Sequence, residues 1–283
     1  MPDATSPPAD SIVYQIPLLH LPHHRGRRLV VRCDDPRKLV ERLGAEDLDS
    51  LAYVQLDSLP SDADVLVHWA EGLGIELVLE RPADEFARLY HYAKLLDNHP
   101  VRVSVPVQMG FEKAVKLASS LQFAVRLQVG QPTANLIESL AQLLDNYLHR
   151  PTVAQPIEYF HSVLLGLCHG ESFDLWAIQE EDPALVRYVD DRGEERLPGK
   201  LAGVEAGPGA AGFVERWASH LLGAGAECAE CPFFAPCRGY FKWPRPDYDC
   251  AGVRDLFRTL EQAADALRAD LAAASRIRSD SNP

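Results

Sequence analysis

The sequence predicts an α/β protein in which a partial (β/α) barrel is followed by a small, cysteine-rich C-terminal domain and a long C-terminal helix. Three observations predict this fold. Short β-branched runs alternate with helical patterns, and successive runs begin 22 to 26 residues apart. Four of the six cysteines then fall within residues 228–250. Apolar residues with helical spacing follow from Val253 to Leu271.

Five β-branched runs predict the strands of the barrel, and a helical pattern follows each of them. The runs are 29–33, 51–57, 75–81, 101–107 and 123–129, and the helical patterns are 35–45, 61–74, 83–98, 110–121 and 133–148. Repeated βα units pair their strands in parallel through right-handed crossovers. The nearly continuous Val, Ile and Leu content of the runs indicates a sheet buried on both faces. A partial or complete β/α barrel and an open doubly wound sheet both satisfy this pattern.

The patterns divide the chain into three segments. We expect a flexible N-terminal arm over 1–27, the partial barrel over 28–170, and a cysteine-containing domain with the C-terminal helix over 171–276. Within the last segment, 173–179 predicts a strand, and 185–196 predicts a hairpin that turns at DRG.

Composition and motifs exclude several classes of function. The net charge of −13 makes the chain a poor ligand for nucleic acid or anionic membranes. No apolar run reaches the roughly 18 residues of a spanning helix, and the N-terminus lacks the pattern of a secretory signal. CDDPRK follows the run at 29–33, so no glycine-rich phosphate loop stands there. We expect a cytoplasmic protein whose thiols stay reduced.

Cys228, Cys231, Cys237 and Cys250 are the strongest chemical signal in the chain. Gaps of two, five and twelve residues separate them. Thiols at this density in a reducing compartment indicate zinc or an iron–sulfur cluster. Structural zinc commonly uses two short knuckles, whereas here only the first pair forms one. We therefore predict that these four residues bind one [4Fe-4S] cluster, with zinc as the alternative.

The side chains between the cysteines also suit a cluster. Arg238, Lys242 and the backbone N–H groups of tight turns are expected to donate to sulfur and to offset cluster charge, which tunes the potential. Six aromatic residues are available to exclude water: Phe233, Phe234, Tyr240, Phe241, Trp243 and Tyr248.

The pattern C-x2-C-x5-C followed by a later Cys resembles the C-terminal SPASM domain of radical S-adenosylmethionine peptide-modifying enzymes, which binds auxiliary iron–sulfur clusters. The preceding VRYVDDRGEERLPG resembles the strand-turn-strand that often leads into such domains. The resemblance implies that 28–170 is the family's partial barrel and 171–276 a SPASM-like iron–sulfur domain. In the family a further Cys often stands four positions after the third, where this chain has Phe241, which implies one cluster.

The chain departs from that family where radical chemistry begins. Radical S-adenosylmethionine enzymes carry CxxxCxxC after the first barrel strand, and those thiolates leave one iron open for the cofactor. The segment after 29–33 contains Cys33 alone, and DSLPSD replaces the glycine-rich turn expected after the second strand. We therefore expect no S-adenosylmethionine binding and no autonomous radical chemistry.

The expected function is that of a non-catalytic accessory protein. It would bind a precursor peptide or a partner radical maturase in ribosomal-peptide or peptide-derived cofactor biosynthesis. One alternative is electron transfer to a partner radical enzyme. Another is independent catalysis at the barrel mouth, with a structural zinc or cluster. The residues that would line this mouth are the polar residues at the carboxyl ends of the predicted strands: Asp34, Asp57, Glu80, Arg81, Gln108 and Gln131. Polar residues at such positions are more often hydrated by solvent than part of a binding site.

Overall fold

A β-sheet organises the chain. This computed structural model describes residues 12–60, 63–150, 154–205, 210–225 and 227–280, with side chains described as far as 274. Nine strands are found in these residues: β1 (Val13–Pro17), β2 (Arg28–Cys33), β3 (Leu51–Leu56), β4 (Ile75–Val78), β5 (Val101–Pro106), β6 (Ala124–Gln128), β7 (Ile157–Glu158), β8 (Val186–Val189) and β9 (Glu195–Arg196).

Helices connect the strands and cover one face of the sheet. A 3-10 helix over Phe86–Asp97 replaces most of the α-helix predicted at 83–98. The α-helices of the described residues are α1 (Leu21–His24), α2 (Pro36–Arg42), α3 (Ala45–Leu48), α4 (Pro82–Glu85), α5 (Phe111–Ser120), α6 (Ala134–His149), α7 (Phe160–His169), α8 (Leu175–Ile178), α9 (Phe213–Gly223), α10 (Phe234–Cys237) and α11 (Ala251–Asp280).

Strands that follow one another in the chain are mostly neighbours in the sheet. The order is β7-β6-β5-β4-β3-β2-β1-β8-β9, and each neighbouring pair is parallel except β8–β9. Strand β8 pairs with the edge of β1 that faces away from β2. Because β–α–β crossovers are right-handed, a sheet that grows in one direction carries its connecting helices on one face. The architecture is therefore α/β with a largely parallel sheet, as the sequence predicts.

The two faces of the sheet differ in polarity. Val54, Leu77 and Val103 are fully buried in the apolar core, which α5 closes against β5 and β6. Successive side chains of a strand point to opposite faces. The other face consequently carries polar partners: the backbone register aligns Arg32, Gln55, Glu76 and Arg102 across β2 to β5. The sequence predicts burial on both faces, and Glu76, Ser104 and Arg126 of this second face are buried although they are polar.

The predicted limits of the N-terminal arm and the barrel need correction. Val13–Pro17 is not an arm but strand β1, which lies between β2 and β8, and Ile16 is fully buried. Residues 1–11 lie outside the described residues. Strand β8 belongs to the same sheet, although the predicted boundary at residue 171 assigns it to the second domain. A five-residue strand followed by a histidine-rich segment carries too little periodicity to be recognised.

The helix predicted over 61–74 is largely absent from the residues described there. Asp64–Leu66 forms a single 3-10 turn, and residues 61–62 are outside the described part of the chain. Ala70 and Gly72 have φ angles of 49° and 88°. Such angles are incompatible with a right-handed helix.

The strand predicted over 173–179 is helix α8. Its N-cap is Asp174, whose carboxylate accepts a hydrogen bond from the Trp176 amide at 2.7 Å. An N-cap of this kind starts a helix by satisfying an amide that lacks an intrahelical acceptor. The hairpin predicted over 185–196 is confirmed as β8 and β9.

Helix α11 brings the C-terminal segment back onto the sheet domain. Val253, Leu256, Phe257 and Leu260 are buried on one side of it, and the helix packs against α7 and α6. The cysteine segment precedes this helix and is held by its packing. Among the helices of the described residues, none combines the length and apolar content that crossing a membrane requires.

Candidate metal site

The four cysteines that the sequence predicts as ligands line a single cavity. Cys228, Cys231, Cys237 and Cys250 are all free thiols. The cavity has an unfilled volume of about 400 Å³, which includes open solvent at its mouth. Its other lining residues are Glu227, Phe233, Phe234, Phe241, Lys242, Val253, Arg254 and Phe257.

Short turns place each thiol at the cavity. Cys228 lies in a 3-10 turn, and its carbonyl oxygen accepts a hydrogen bond from the Cys231 amide at 3.3 Å. Cys237 ends helix α10, where its amide donates to the carbonyl of Phe233 at 3.1 Å. Cys250 immediately precedes helix α11. Tertiary packing therefore closes the long gap between the third and fourth cysteines.

The turn formed by residues 237–241 contains two residues in left-handed conformations directly after Cys237. Arg238 and Gly239 both have positive φ angles, 47° and 75°, and left-handed residues of this kind let consecutive N–H groups converge on one acceptor. Burial raises the pKa of the Cys237 thiol to about 11. The amides of Gly239, Tyr240 and Phe241 oppose that rise by donating to its sulfur.

Two tryptophan side chains hold the 237–241 turn in place. The Trp217 Nε1–H donates to the carbonyl of Gly239 at 3.0 Å, and the Trp176 Nε1–H donates to the carbonyl of Arg238 at 3.4 Å. Both indoles are largely buried. The turn is thus anchored from α8 and α9 on the side away from the cavity.

The predicted role of Arg238 as a donor to sulfur is wrong. Its guanidinium pairs with Asp174 Oδ2 at 2.8 Å and with Glu215 Oε1 at 2.9 Å, and it is not among the residues that line the cavity. The two carboxylates lie at the start of α8 and α9. Arg238 therefore fixes the turn rather than the thiols.

Lys242 is the lysine that lines the cavity. It is 4% exposed, and its Nζ donates to Glu227 Oε1 at 2.6 Å and to the carbonyl of Tyr248. Burial raises the pKa of the Cys250 thiol to about 12, and the charge of Lys242 opposes that rise. Lys242 thus supplies positive charge beside the thiols, part of which Glu227 neutralises.

A half-buried lysine, which sequence reasoning missed, lies behind the 237–241 turn. The Lys200 Nζ donates to the carbonyl of Tyr240 at 2.6 Å and faces the ring of Trp176. Burial lowers the pKa of Lys200 to about 7, against the influence of Glu181 and Cys237. Its local sequence, PGK, carries no signal of burial.

Half of the predicted aromatic shell lies at the cavity. Phe233, Phe234 and Phe241 line it, and Phe233 stacks on Phe257 with 5.1 Å between ring centroids. The other three predicted aromatic residues do not line the cavity in the described part of the chain. They are Tyr240, Trp243 and Tyr248.

The donor set fits a thiolate-bound group. Glu227 is the one carboxylate among the cavity-lining residues of the described chain, and Lys242 and Arg254 hold it in ion pairs. Four thiols remain, and thiolates are the ligands of structural zinc and of iron–sulfur clusters. Within the described residues, no three His, Cys, Asp or Glu side chains are already arranged closely enough to hold one metal ion.

The remaining two cysteines are elsewhere. Cys33 ends β2, where its thiol donates to the carbonyl of Asp35 at 3.2 Å, and Cys168 is buried in α7. Because β1 precedes β2, the segment after the first strand is 18–24, not the one that contains Cys33. That segment also lacks cysteine. The CxxxCxxC motif would therefore be expected at 18–24 rather than after β2, and neither segment contains it.

A cleft opens at the carboxyl ends of β1 to β3. It measures about 460 Å³, within the range of small-molecule sites. The Arg32 Nη1 lies 3.3 Å from Asp57 Oδ2, and the guanidinium lies 4.2 Å from the ring centroid of Tyr188. Burial raises the pKa of Asp57 to about 6, although Arg32 opposes the rise. Of the predicted strand-end residues, Asp34 and Asp57 line this cleft.

The other strand-end residues do not line it. The Gln108 Nε2 donates to the carbonyl of Glu80, and the Gln131 Nε2 donates to the carbonyls of Phe241 at 2.8 Å and Arg245 at 3.0 Å. Gln131 therefore ties the end of β6 to the cysteine segment. The six predicted strand-end residues therefore do not meet at one barrel mouth.

Sequence reasoning also missed a buried ionic network on the polar face of the sheet. Glu76 is 1% exposed, and its Oε1 lies 3.1 Å from the Arg102 Nη2 and 3.5 Å from the Arg126 Nη1 as ion pairs. Glu180 pairs with Arg102 at 2.9 Å and accepts from the Tyr53 hydroxyl at 2.9 Å. Although burial opposes it, Arg126 and Arg102 hold the pKa of Glu180 below its usual value. The available signal was a charged residue at alternate positions of adjacent strands.

Comparison of the chain with protein-family models, with curated proteins and with solved structures finds no match. The class of the protein therefore follows from its fold and its site. It is an α/β protein with a largely parallel sheet and a cavity lined by four thiols.

Proposed function

We propose that the chain is a non-catalytic relative of radical S-adenosylmethionine/SPASM proteins that carries one [4Fe-4S] cluster and binds a precursor peptide or a partner maturase. The observation that carries the proposal is that Cys228, Cys231, Cys237 and Cys250 line one cavity. The absence of CxxxCxxC from the sequence supports an accessory role. We propose that the protein is cytoplasmic, since thiols stay reduced and available for metal there.

The strand order supports a partial (β/α) barrel in this proposal. Strands β1 to β7 follow one another in one direction, and β8 joins the opposite side of β1. This is the strand order of a β/α barrel that is open between β7 and β8. In this proposal the cysteine segment, which Gln131 joins to the end of β6, is a SPASM-like domain beside the barrel.

The residues of the chain divide the work at the cluster. Cys228, Cys231, Cys237 and Cys250 would hold the iron, Phe233 and Phe257 exclude water, and Lys242 supplies positive charge. When bound, the cluster supplies a one-electron redox centre and a cross-link between the turns that carry its ligands.

Electron transfer to a partner radical enzyme is the second candidate. It is favoured by the partial exposure of Cys231 and Cys250, which leaves one side of the site near solvent. A cluster close to the surface exchanges electrons more readily than a deeply buried one. The third candidate is independent catalysis, and neither G-x-S-x-G nor H-E-x-x-H occurs in the sequence to support it.

Anaerobic purification tests the cluster directly. We expect brown protein with four iron and four sulfide per chain, as the [4Fe-4S] formula requires. Cys237→Ser should lose the cluster, and Cys168→Ser is the matched control because Cys168 lies in α7, away from the cavity. Stoichiometric zinc without iron, or full iron content in Cys237→Ser, would contradict the assignment.

The accessory role is tested separately with a partner of known sequence. Short peptides encoded beside the chain are the probes, and calorimetry with cluster-loaded protein measures their binding. We expect micromolar or tighter binding that weakens when the cluster is removed by chelation, because the turns lose their cross-link. Catalytic turnover of a peptide by the isolated chain would refute the accessory role.

A further inference from the structure

We propose that Glu227, Lys242 and Arg254 form a clasp that holds the cysteine turns together before metal binds, and that they are positioning residues of the metal site. The inference rests on the proposed function and deepens it, since it names the groups that assemble the four thiols. It applies to zinc as well as to a [4Fe-4S] cluster, because the clasp acts on the chain and not on the metal.

The fourth cysteine is far from the others in the sequence. Twelve residues separate Cys237 from Cys250, and the entropic cost of closing a loop rises with its length. If metal binding alone closed this loop, that cost would reduce the affinity for metal. Contacts that hold the loop in advance therefore strengthen metal binding.

The Lys242 ammonium joins two of the segments that carry the thiols. Its Nζ donates to Glu227 Oε1 at 2.6 Å and to the carbonyl of Tyr248. Glu227 directly precedes Cys228, and Tyr248 lies two residues before Cys250. The lysine side chain is 6% exposed, so these two acceptors compensate a charge that is withdrawn from water.

The second carboxylate oxygen of Glu227 extends the clasp to helix α11. The Arg254 Nη1 donates to Glu227 Oε2 at 3.0 Å, and the Arg254 amide donates to the carbonyl of Cys250 at 2.9 Å. Glu227 therefore bridges an amine and a guanidinium that are both tied to the chain around Cys250. These bonds use a carboxylate, two cations and backbone groups but no thiol, so the clasp does not need metal to form.

The loop before Cys250 is also held on its other side. The Tyr248 hydroxyl donates to the carbonyl of Pro132 at 2.7 Å, and the Gln131 Nε2 donates to the carbonyl of Arg245 at 3.0 Å. These bonds attach the loop to the end of β6, whereas the clasp attaches it to the turn beside Cys228. Loss of the clasp would therefore release the loop from that turn without detaching it from the sheet.

Glu227→Ala is the main test, because charge and positioning predict opposite results. A metal centre with four thiolates carries net negative charge, so removing a nearby carboxylate should by charge alone strengthen metal binding. If the clasp positions the thiols, the same change should weaken metal binding by about 10- to 100-fold, as loss of the partners around metal ligands typically does. Glu230→Ala is the matched control, since it removes the same charge from the same turn and Glu230 is not a lining residue of the cavity.

Lys242→Met is the second variant, because methionine keeps much of the apolar stem and removes both donors. Charge and positioning both predict weaker binding here, so the double variant carries the test. If the residues act as one clasp, adding Glu227→Ala to Lys242→Met should change the affinity little, since contacting residues of one network are not additive.

The readouts are the affinity for zinc and cobalt(II), from competition with a chromophoric chelator under reducing conditions, and amide hydrogen exchange in the metal-free chain. We expect Glu227→Ala to bind both metals more weakly than Glu230→Ala does. The amides of residues 246–252 should also exchange faster in Glu227→Ala than in Glu230→Ala, because the loop has lost its contact with the turn.

The outcomes separate this inference from the proposed function. Metal binding in Glu227→Ala that is as tight as in Glu230→Ala overturns the inference alone, and so do additive effects of the two substitutions. Zinc bound without iron contradicts the cluster, whereas weaker zinc binding in Glu227→Ala would still support the clasp. Failure of the wild type to bind iron, zinc and cobalt overturns both.

Discussion

Replacing Arg126 by Met tests whether the polar face of the sheet is held together by compensated charge. The Arg126 Nη1 lies 3.5 Å from Glu76 Oε1 and 3.3 Å from Ser104 Oγ, and Nη2 donates to the carbonyl of Gln179. Methionine keeps much of the apolar stem but removes the charge and its donors. Glu76, 1% exposed, then keeps Arg102 as its remaining arginine partner among the described residues.

The expected loss of stability follows from the burial of both partners. Removing one member of a buried ion pair costs about 3–5 kcal/mol, and because Arg102 remains we expect the lower end, about 3 kcal/mol. This corresponds to a Tm decrease of roughly 6–12 °C for a domain of this size. Urea denaturation with all variants in the same metal state measures it as a lower midpoint at constant slope.

Glu76→Gln in the Arg126→Met background provides the control. Glutamine removes the buried negative charge that Arg126→Met leaves only partly compensated. The double variant should therefore be more stable than Arg126→Met alone. Contacting residues of this kind couple by roughly 0.5–3 kcal/mol. A loss below about 1 kcal/mol in Arg126→Met, or strictly additive effects, would refute the reasoning.

The remaining predictions concern metal content, packing and pH. Cys228→Ser should lose bound metal by elemental analysis while Cys168→Ser keeps it, and equal contents would contradict the site. Phe257→Ala should cost about 3–5 kcal/mol in chemical denaturation by emptying space beside Phe233; a loss under about 1 kcal/mol would mean the stack is unimportant. Since burial raises the pKa of Asp57 to about 6, its folded form prefers the proton, so stability should decrease as pH rises from about 4 through 6. Asp57→Asn should lose that part of the decrease, and an unchanged pH profile would count against it.

The repeating pattern of the sequence predicted the strands well. The runs at 51–57 and 101–107 correspond to β3 and β5. Their β-branched and aromatic residues fit a pleated, buried strand, and this preference can be recognised from local sequence. Strand β1 escaped recognition because its pattern is short, and its burial depends on β8, more than 160 residues later. The α8 segment was misread because Asp174 caps a helix only in the observed backbone conformation.

The sequence predicted which residues carry the thiols of the candidate site, but not which charged side chains lie beside them. Cysteine spacing alone indicated the four thiols, since the chemistry of metal binding requires them. The same spacing could not distinguish Lys242, which faces the cavity, from Arg238, which faces Asp174 and Glu215. Both are basic residues in the same turn region, and only their tertiary partners decide where each charge lies.

By itself, the sequence determined the parallel α/β class, the identity of the four thiols and the absence of the CxxxCxxC motif, because each depends on local periodicity or residue type. Tertiary structure decided that β1 and β8 complete the sheet, that one cavity unites the thiols, and that the 237–241 turn takes a left-handed conformation. Those features depend on contacts between distant segments and on backbone angles such as the φ of 47° at Arg238, which packing imposes against local preference.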